Sequence, residues 1–200
     1  MKVIGLTDNF QGSAPSGTAN GFPGIFLMAD STLLKDGKPF FVPDFSADMV
    51  ARPTFAIHMN RLGKNIAAKF ANRYYAEVTV GLSIVARDIE QRLSAANLPT
   101  ALATSFDNAA VLGNFTAIDQ LTPGALNAEV CIDGNPVACF SSEQMSIDFN
   151  HIVEHISRYY TIKIGDIIFC GNTGHELPIS IGHHFTASIN GNTLLDFKTK

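Results

Sequence analysis

Hydrophobic positions fall into short blocks whose period changes along the chain, and each change predicts an element. Residues 2–6 (KVIGL) make an apolar run of strand length. Residues 24–34 (GIFLMADSTLL) make another, followed by an Asp36–Gly37 turn and a short returning run, FFVP, which together predict a hairpin. Residues 55–62 (FAIHMNRL) alternate apolar and polar side chains, as a half-buried strand does. From Ile66 to Tyr74 the spacing turns helical, and residues 76–87 (AEVTVGLSIVAR) are β-branched and strand-like. Ile89 and Leu93 stand four apart among charges, which predicts a short amphipathic helix ending before Pro99. Residues 128–140 predict a hairpin around Asp133–Gly134, and 146–160 a helix carrying Ile147, Ile152, Ile156 and Tyr159. Residues 160–171 and 183–197 read as strands broken by glycine turns, and 9–23, rich in Gly, Ser, Ala and Pro, as an irregular loop. Several short strands with a few helices and no regular alternation argue for an α+β fold.

Composition narrows the function classes. At 200 residues the chain can bury one core, so a single domain over 1–200 is expected. The formal charge of -4 and 14 Lys and Arg residues scattered along the sequence give no basic face for nucleic acid, and with only a short N-terminal apolar run no membrane partner is expected either. The N-terminal apolar run is too short for a signal segment or a membrane span, which predicts a soluble, cytoplasmic protein. Cys131, Cys139 and Cys170 lack Cys-x-x-Cys spacing and are expected to be reduced, buried apolar residues.

Two histidine motifs invite a metal reading. His151, Glu154 and His155 match His-x-x-Glu-His, yet no third ligand is evident, and a solvated helical face accounts for them better. His183 and His184 are adjacent on an expected strand, so their side chains point to opposite faces. His58 lies four residues beyond Thr54 and is expected at the surface.

The stretch Ala51–Asp88 (ARPTFAIHMNRLGKNIAAKFANRYYAEVTVGLSIVARD) resembles the metal-binding region of the fumarylacetoacetate hydrolase family, most closely its short bacterial members. Further segments follow in the family's order: MADSTLLKDGKPFFVPDFS, SFDNAAVLGNF, LNAEVCIDGNPV and ISRYYTIKIGDIIFCGNTG. In that family a Glu-x-Glu pair precedes the RLGKNI-like segment, and an Asp precedes the Asp of an Ala-Arg-Asp motif. The resemblance places Arg52 and Thr54 at the two Glu positions and Ser83 at the Asp. It places Thr104 at an active-site Lys, Met28 and Ala29 at a Lys-Pro pair, and Cys170, Gly171, Asn172 and Thr173 at a Thr-Gly-Thr-Pro loop that cradles a substrate carboxylate.

The resemblance implies the family's β-roll, an α+β fold with mixed and antiparallel sheets and a few short helices, and a homodimer. It also implies what the family does: a Mg2+, Mn2+ or Ca2+ ion held by carboxylates polarises a carbonyl so that carbon–carbon cleavage, decarboxylation or tautomerisation proceeds. With Arg52, Thr54 and Ser83 at the ligand positions, no metal and no cofactor are expected at that place. The implied ligand pocket is Arg52, Thr54, Ser83, Thr104, Gly171, Asn172 and Thr173, where the Arg52 guanidinium could hold a small carboxylic or keto acid. His175 and Glu176 are the candidate substitute acid–base pair, with Asp107 a further group for a relocated metal. Arg87–Asp88 is expected as a buried ion pair and Gly165–Asp166 as a tight turn. Two functions follow: a catalytically degenerate protein that binds a small acid or serves as a non-catalytic partner, or a hydrolase, decarboxylase or isomerase of β-dicarbonyl or 2-keto acids without metal or with a relocated one.

Overall fold

The computed structural model describes residues 1–11, 22–34, 37–121 and 124–200. Its strands in chain order are β1 (Val3–Leu6), β2 (Ile25–Met28), β3 (Leu33–Leu34), β4 (Met49–Met59), β5 (Tyr75–Ala86), β6 (Ala110–Leu112), β7 (Thr116–Ala117), β8 (Asn127–Ile132), β9 (Asn135–Ser141), β10 (Ile167–Phe169), β11 (Leu177–Pro178), β12 (His184–Ile189) and β13 (Asn192–Lys198). The α-helices are α1 (Ala68–Ala71), α2 (Arg87–Ala95), α3 (Ala101–Thr104) and α4 (Phe149–Tyr159). One mixed sheet runs β2-β1-β10-β4-β5-β6-β3, with β11 against β4 and β7 against β5; the other is antiparallel, β13-β12-β8-β9. The expected α+β class with mixed and antiparallel sheets is therefore the observed one. No helix among the described residues is long and apolar enough to cross a membrane.

Alternation along β4 and β5 decides what lies on each face of the large sheet. Phe55, Ile57 and Met59 of β4, with Val78, Val80, Leu82 and Ile84 of β5, enter the main core, where Phe185 and Phe197 of the second sheet also lie. The opposite face carries Arg52, Thr54, Ala56 and His58, paired in register with Ser83, Gly81, Thr79 and Glu77. The hairpin of β8 and β9 closes through Asp133 and Gly134, both at positive φ, as a two-residue loop between right-twisted strands requires. Helix α4 starts at Asp148, whose carboxylate accepts the His151 backbone N–H.

Several expectations change. The hairpin expected within 24–43 does not form: β2 pairs with β1, β3 pairs in parallel with β6, and Phe40 is buried in a bridge to Thr199. Each segment finds a longer-range neighbour instead, and Met28, Leu34 and Phe40 are buried there. Residues 12–21 of the expected loop, and Lys35 and Asp36 of the expected turn, lie outside the described residues. The helical spacing from Ile66 to Tyr74 yields only the single turn α1. Of the cysteines Cys170 alone is buried; Cys139 is exposed and Cys131 half-buried on the outer face of the second sheet. Six of the 14 basic residues, dispersed in sequence, are brought together in space, because Gly63 pairs with Ile162 and brings residues 60–75 against 157–165.

Candidate functional site

Arg52 projects from a buried strand, and its charge is met by two glutamates. Its Nη1 and Nη2 donate to both oxygens of Glu90 at 2.9 and 2.7 Å, a bidentate pair. Its Nε and Nη2 donate to Glu176 Oε1 at 3.0 and 2.6 Å. Arg87 extends the network, donating to both oxygens of Asp48 at 2.7 and 3.0 Å and to Glu176 Oε2 at 3.1 Å. Burial by itself lowers the Arg52 pKa, but Glu90 and then Glu176 outweigh it and raise it. Burial likewise pushes Glu176 up, while Arg52 and then Arg87 outweigh it and hold the carboxyl below its usual range. Asp48 and then Glu176 raise the Arg87 pKa. Arg87 therefore does not pair with Asp88, contrary to expectation. The Asp88 carboxylate accepts from Ser46 Oγ at 2.6 Å and from the Ala47 and Ile89 amides, since the start of α2 turns it away from its neighbour.

Of the other positions assigned by resemblance, Ser83, Thr54 and Thr173 adjoin Arg52 on or against β4. Ser83 faces Arg52 across the strands, and Thr54, buried with its hydroxyl donated to the Phe55 carbonyl, faces Gly81. The Phe169 ring lies so close over Gly81 that a Cβ there would stand 2.6 Å from a ring carbon. Phe169 belongs to an apolar cluster on this face with Val3, Met28, Ala56, Ala110, Leu112 and Ile167. Met28, at a lysine position of the resemblance, is thus part of an apolar filling. Thr173 donates to the Pro53 carbonyl at 3.0 Å, which seats the 170–174 loop on β4 between Arg52 and Thr54. Gly171 lies against Asn9 and the Thr7 carbonyl, and the Asn172 side chain accepts the Gly174 amide. Thr104 ends α3 with its hydroxyl on the Thr100 carbonyl; the next residue, Ser105, reaches the Leu27 carbonyl at 3.5 Å.

Arg52, Thr54, Ser83 and Thr173 are thus brought together with Glu176, whereas His175 is not. Its Nε2 lies 3.2 Å from the Cys139 carbonyl, and Glu176 is taken by two arginines, so the two do not form an acid–base pair as arranged. Asp107 is exposed in a turn. His58 is half-buried beside Glu77 at 2.8 Å rather than freely exposed. His151 bonds Asp148 at 2.8 Å, while His155 is buried and stacked on Phe22, so that helical face is not uniformly solvated. His184 pairs with Asp196 at 2.8 Å, and His183 Nδ1 is buried without a partner among the described residues. Gly165 takes a positive φ in its expected turn, and Asp166, fully buried, pairs with Lys2. Sequence reasoning missed Glu90 and Asp48. An arginine inside an alternating buried strand demands carboxylate partners, a usable signal, but nothing in the spacing selects these two among 18 acids.

Comparison with known proteins adds a lineage to this geometry. Residues 5–197 match the family described as Fumarylacetoacetate (FAA) hydrolase C-terminal. The mitochondrial oxaloacetate tautomerase of Mus musculus is 24% identical over 89% of this chain and 81% of its own length. The mitochondrial oxaloacetate decarboxylase of Dictyostelium discoideum is 26% identical, covering 84% and 78%. The crystal structure of a Pseudomonas aeruginosa fumarylpyruvate hydrolase in complex with Mn2+ and pyruvate superposes with a TM-score of 0.87 at 16% identity, covering 100% of this chain and 89% of that one.

Proposed function

The chain belongs to the fumarylacetoacetate hydrolase family, and from that premise we propose that it is a member in which an ion-pair network stands in place of the divalent ion, acting as a small-acid-binding or non-catalytic partner protein. One observation carries the reading: four hydrogen bonds from Arg52 to Glu90 and Glu176 fix a permanent cation at the first assigned ligand position. That donor set does not fit a hard divalent ion. Mg2+ and Ca2+ require oxygen ligands, and a guanidinium ~4 Å from a divalent charge is repelled by roughly 8 kcal/mol at an effective dielectric of ~20. Thr54 and Ser83 offer neutral hydroxyls, and the Thr54 hydroxyl is already donated to a backbone carbonyl.

In this reading Glu176 is a resident carboxylate in the seat that a small acid would use. Glu90 and Glu176 together take four of the five Arg52 N–H donors, so a carboxylic or keto acid binds only as Glu176 gives way. Homodimerisation and a cytoplasmic location belong to the same proposal. The test is twofold. Purified protein with Mg2+ or Mn2+ is expected to tautomerise and decarboxylate oxaloacetate no faster than buffer does; chelator-sensitive turnover overturns the reading. Calorimetric titration of oxaloacetate is expected to give weak binding that tightens in Glu176→Gln. Absence of binding in both proteins leaves the partner role alone.

The activities of the mouse and Dictyostelium relatives favour a second reading, turnover of a β-dicarbonyl or 2-keto acid without metal or with a relocated one. Without metal it predicts turnover that survives chelator and disappears in His175→Ala; with a relocated ion it predicts turnover that chelator abolishes.

A further inference from the structure

Six of the 14 basic residues, Arg61, Lys64, Lys69, Arg73, Arg158 and Lys163, lie in residues 60–75 and 157–165, and none of the 18 acidic ones does. The two segments are one surface. Gly63 and Ile162 exchange backbone hydrogen bonds at 3.0 and 2.8 Å, and Lys64 Nζ donates to the Arg158 carbonyl at 3.0 Å. All six side chains are exposed, and the ion pair recorded for them is Arg158 with Glu154 at 3.7 Å. No acidic residue lies in either segment, so in a chain of net charge -4 the described surface carries a strongly positive face here.

Large apolar side chains stand out of that face. Leu62 is 62% exposed and Ile164 70%, the first next to Gly63 of the Gly63–Ile162 bridge and the second in the turn after it, with Phe70 and Tyr159 exposed nearby. We propose that this face docks the protein on an anionic phospholipid surface. The cations would meet headgroup phosphates, and Leu62 and Ile164 would enter the acyl boundary. Charge complementarity selects the partner's sign, and the paired aliphatic tips select its kind. A nucleic acid offers phosphates but no apolar layer for Leu62 and Ile164. Stacking on bases needs free aromatic faces, whereas Phe70 already holds Lys69 Nζ and Arg73 Cζ at 5.0 and 5.1 Å from its ring centre. A second copy presenting the same face is repelled. The expectation of no membrane partner rested on the lack of an apolar span, which docking on a lipid surface does not need.

Flotation of the full chain with vesicles tests the proposal. The protein is expected to float with equimolar phosphatidylcholine–phosphatidylglycerol vesicles and not with pure phosphatidylcholine. Binding should be lost as salt rises toward 1 M, where the screening length falls to about 3 Å. Lys64→Glu and Arg73→Glu should each lower the partition roughly fivefold or more. Leu62→Ser with Ile164→Ser, which keeps every charge, should lower it as well while circular dichroism stays unchanged. Failure to float with the anionic vesicles overturns the proposal. So does flotation indifferent to the Leu62 and Ile164 exchange, or single-stranded RNA binding tighter than the vesicles; the last result assigns the face to nucleic acid.

Discussion

Replacing Arg52 by Met removes the cation and keeps a long unbranched side chain in its place. Glu90 Oε2 and Glu176 Oε1 touch the same Arg52 nitrogen, at 2.7 and 2.6 Å, so these two oxygens are at most about 5.3 Å apart. Without the guanidinium they repel by roughly 3 kcal/mol at an effective dielectric of ~20. The side chains of Arg52 and Glu90 are 20% and 22% exposed, so water and rearrangement relieve part of this, while lost charge-assisted hydrogen bonds add to it. The expected net cost is about 2–3 kcal/mol, between the values for exposed and fully buried pairs, or roughly 4–12 °C in Tm for a chain of this size. Glu176→Gln alone should cost less, because Glu90 keeps its bidentate hold on Arg52. Added to Arg52→Met, it should recover part of the loss by removing the repulsion. The pH dependence has a defined sign. Glu176 titrates below its ordinary 4.5 in the fold, so its stabilisation is complete above that value and lost as pH falls through the folded pKa. In Arg52→Met the larger part of that depression goes, Arg87 keeping the rest, and the acid limb of the stability curve moves to higher pH. Urea unfolding of the four proteins from pH 3.5 to 7 measures both effects. An Arg52→Met protein as stable as its parent, with an unmoved acid limb, refutes the network as the organising feature of the site.

Gly81→Ala drives a methyl into the Phe169 ring, 2.6 Å from its Cε1, and should cost about 1–3 kcal/mol in urea unfolding; a neutral result would mean that the apolar filling beside Thr54 is loose. A maleimide should label exposed Cys139 readily and half-buried Cys131 more slowly. Buried Cys170, whose thiol pKa is raised by desolvation, should react only on unfolding; timed mass spectrometry reads the order, and early labelling of Cys170 contradicts it.

The alternating and helical runs were legible because each carries its own period. The strands β4 and β5, the Asp133–Gly134 hairpin, and α2 and α4 follow from local sequence. The failures share one cause, competition from a distant partner: β3 leaves its expected hairpin for β6, and Phe40 goes to Thr199. At the site, resemblance located Arg52, Thr54 and Ser83, but it could not show that Glu176 bonds Arg52 instead of serving His175. Hydrogen bonding between residues 124 apart in sequence leaves no mark in local spacing. The positive face was hidden for the same reason: neither of its segments is strongly basic alone, and the Gly63–Ile162 bridge makes them one.

The most direct test of the central claim is a thermal melt of the purified protein with and without millimolar Mg2+ or Mn2+, repeated with chelator. An ion bound at a hundred times its Kd adds about 2.7 kcal/mol, roughly 5–11 °C here. The ion-pair network predicts no such shift. A chelator-sensitive rise of that size would mean that a divalent ion is held despite Arg52, and would contradict the account.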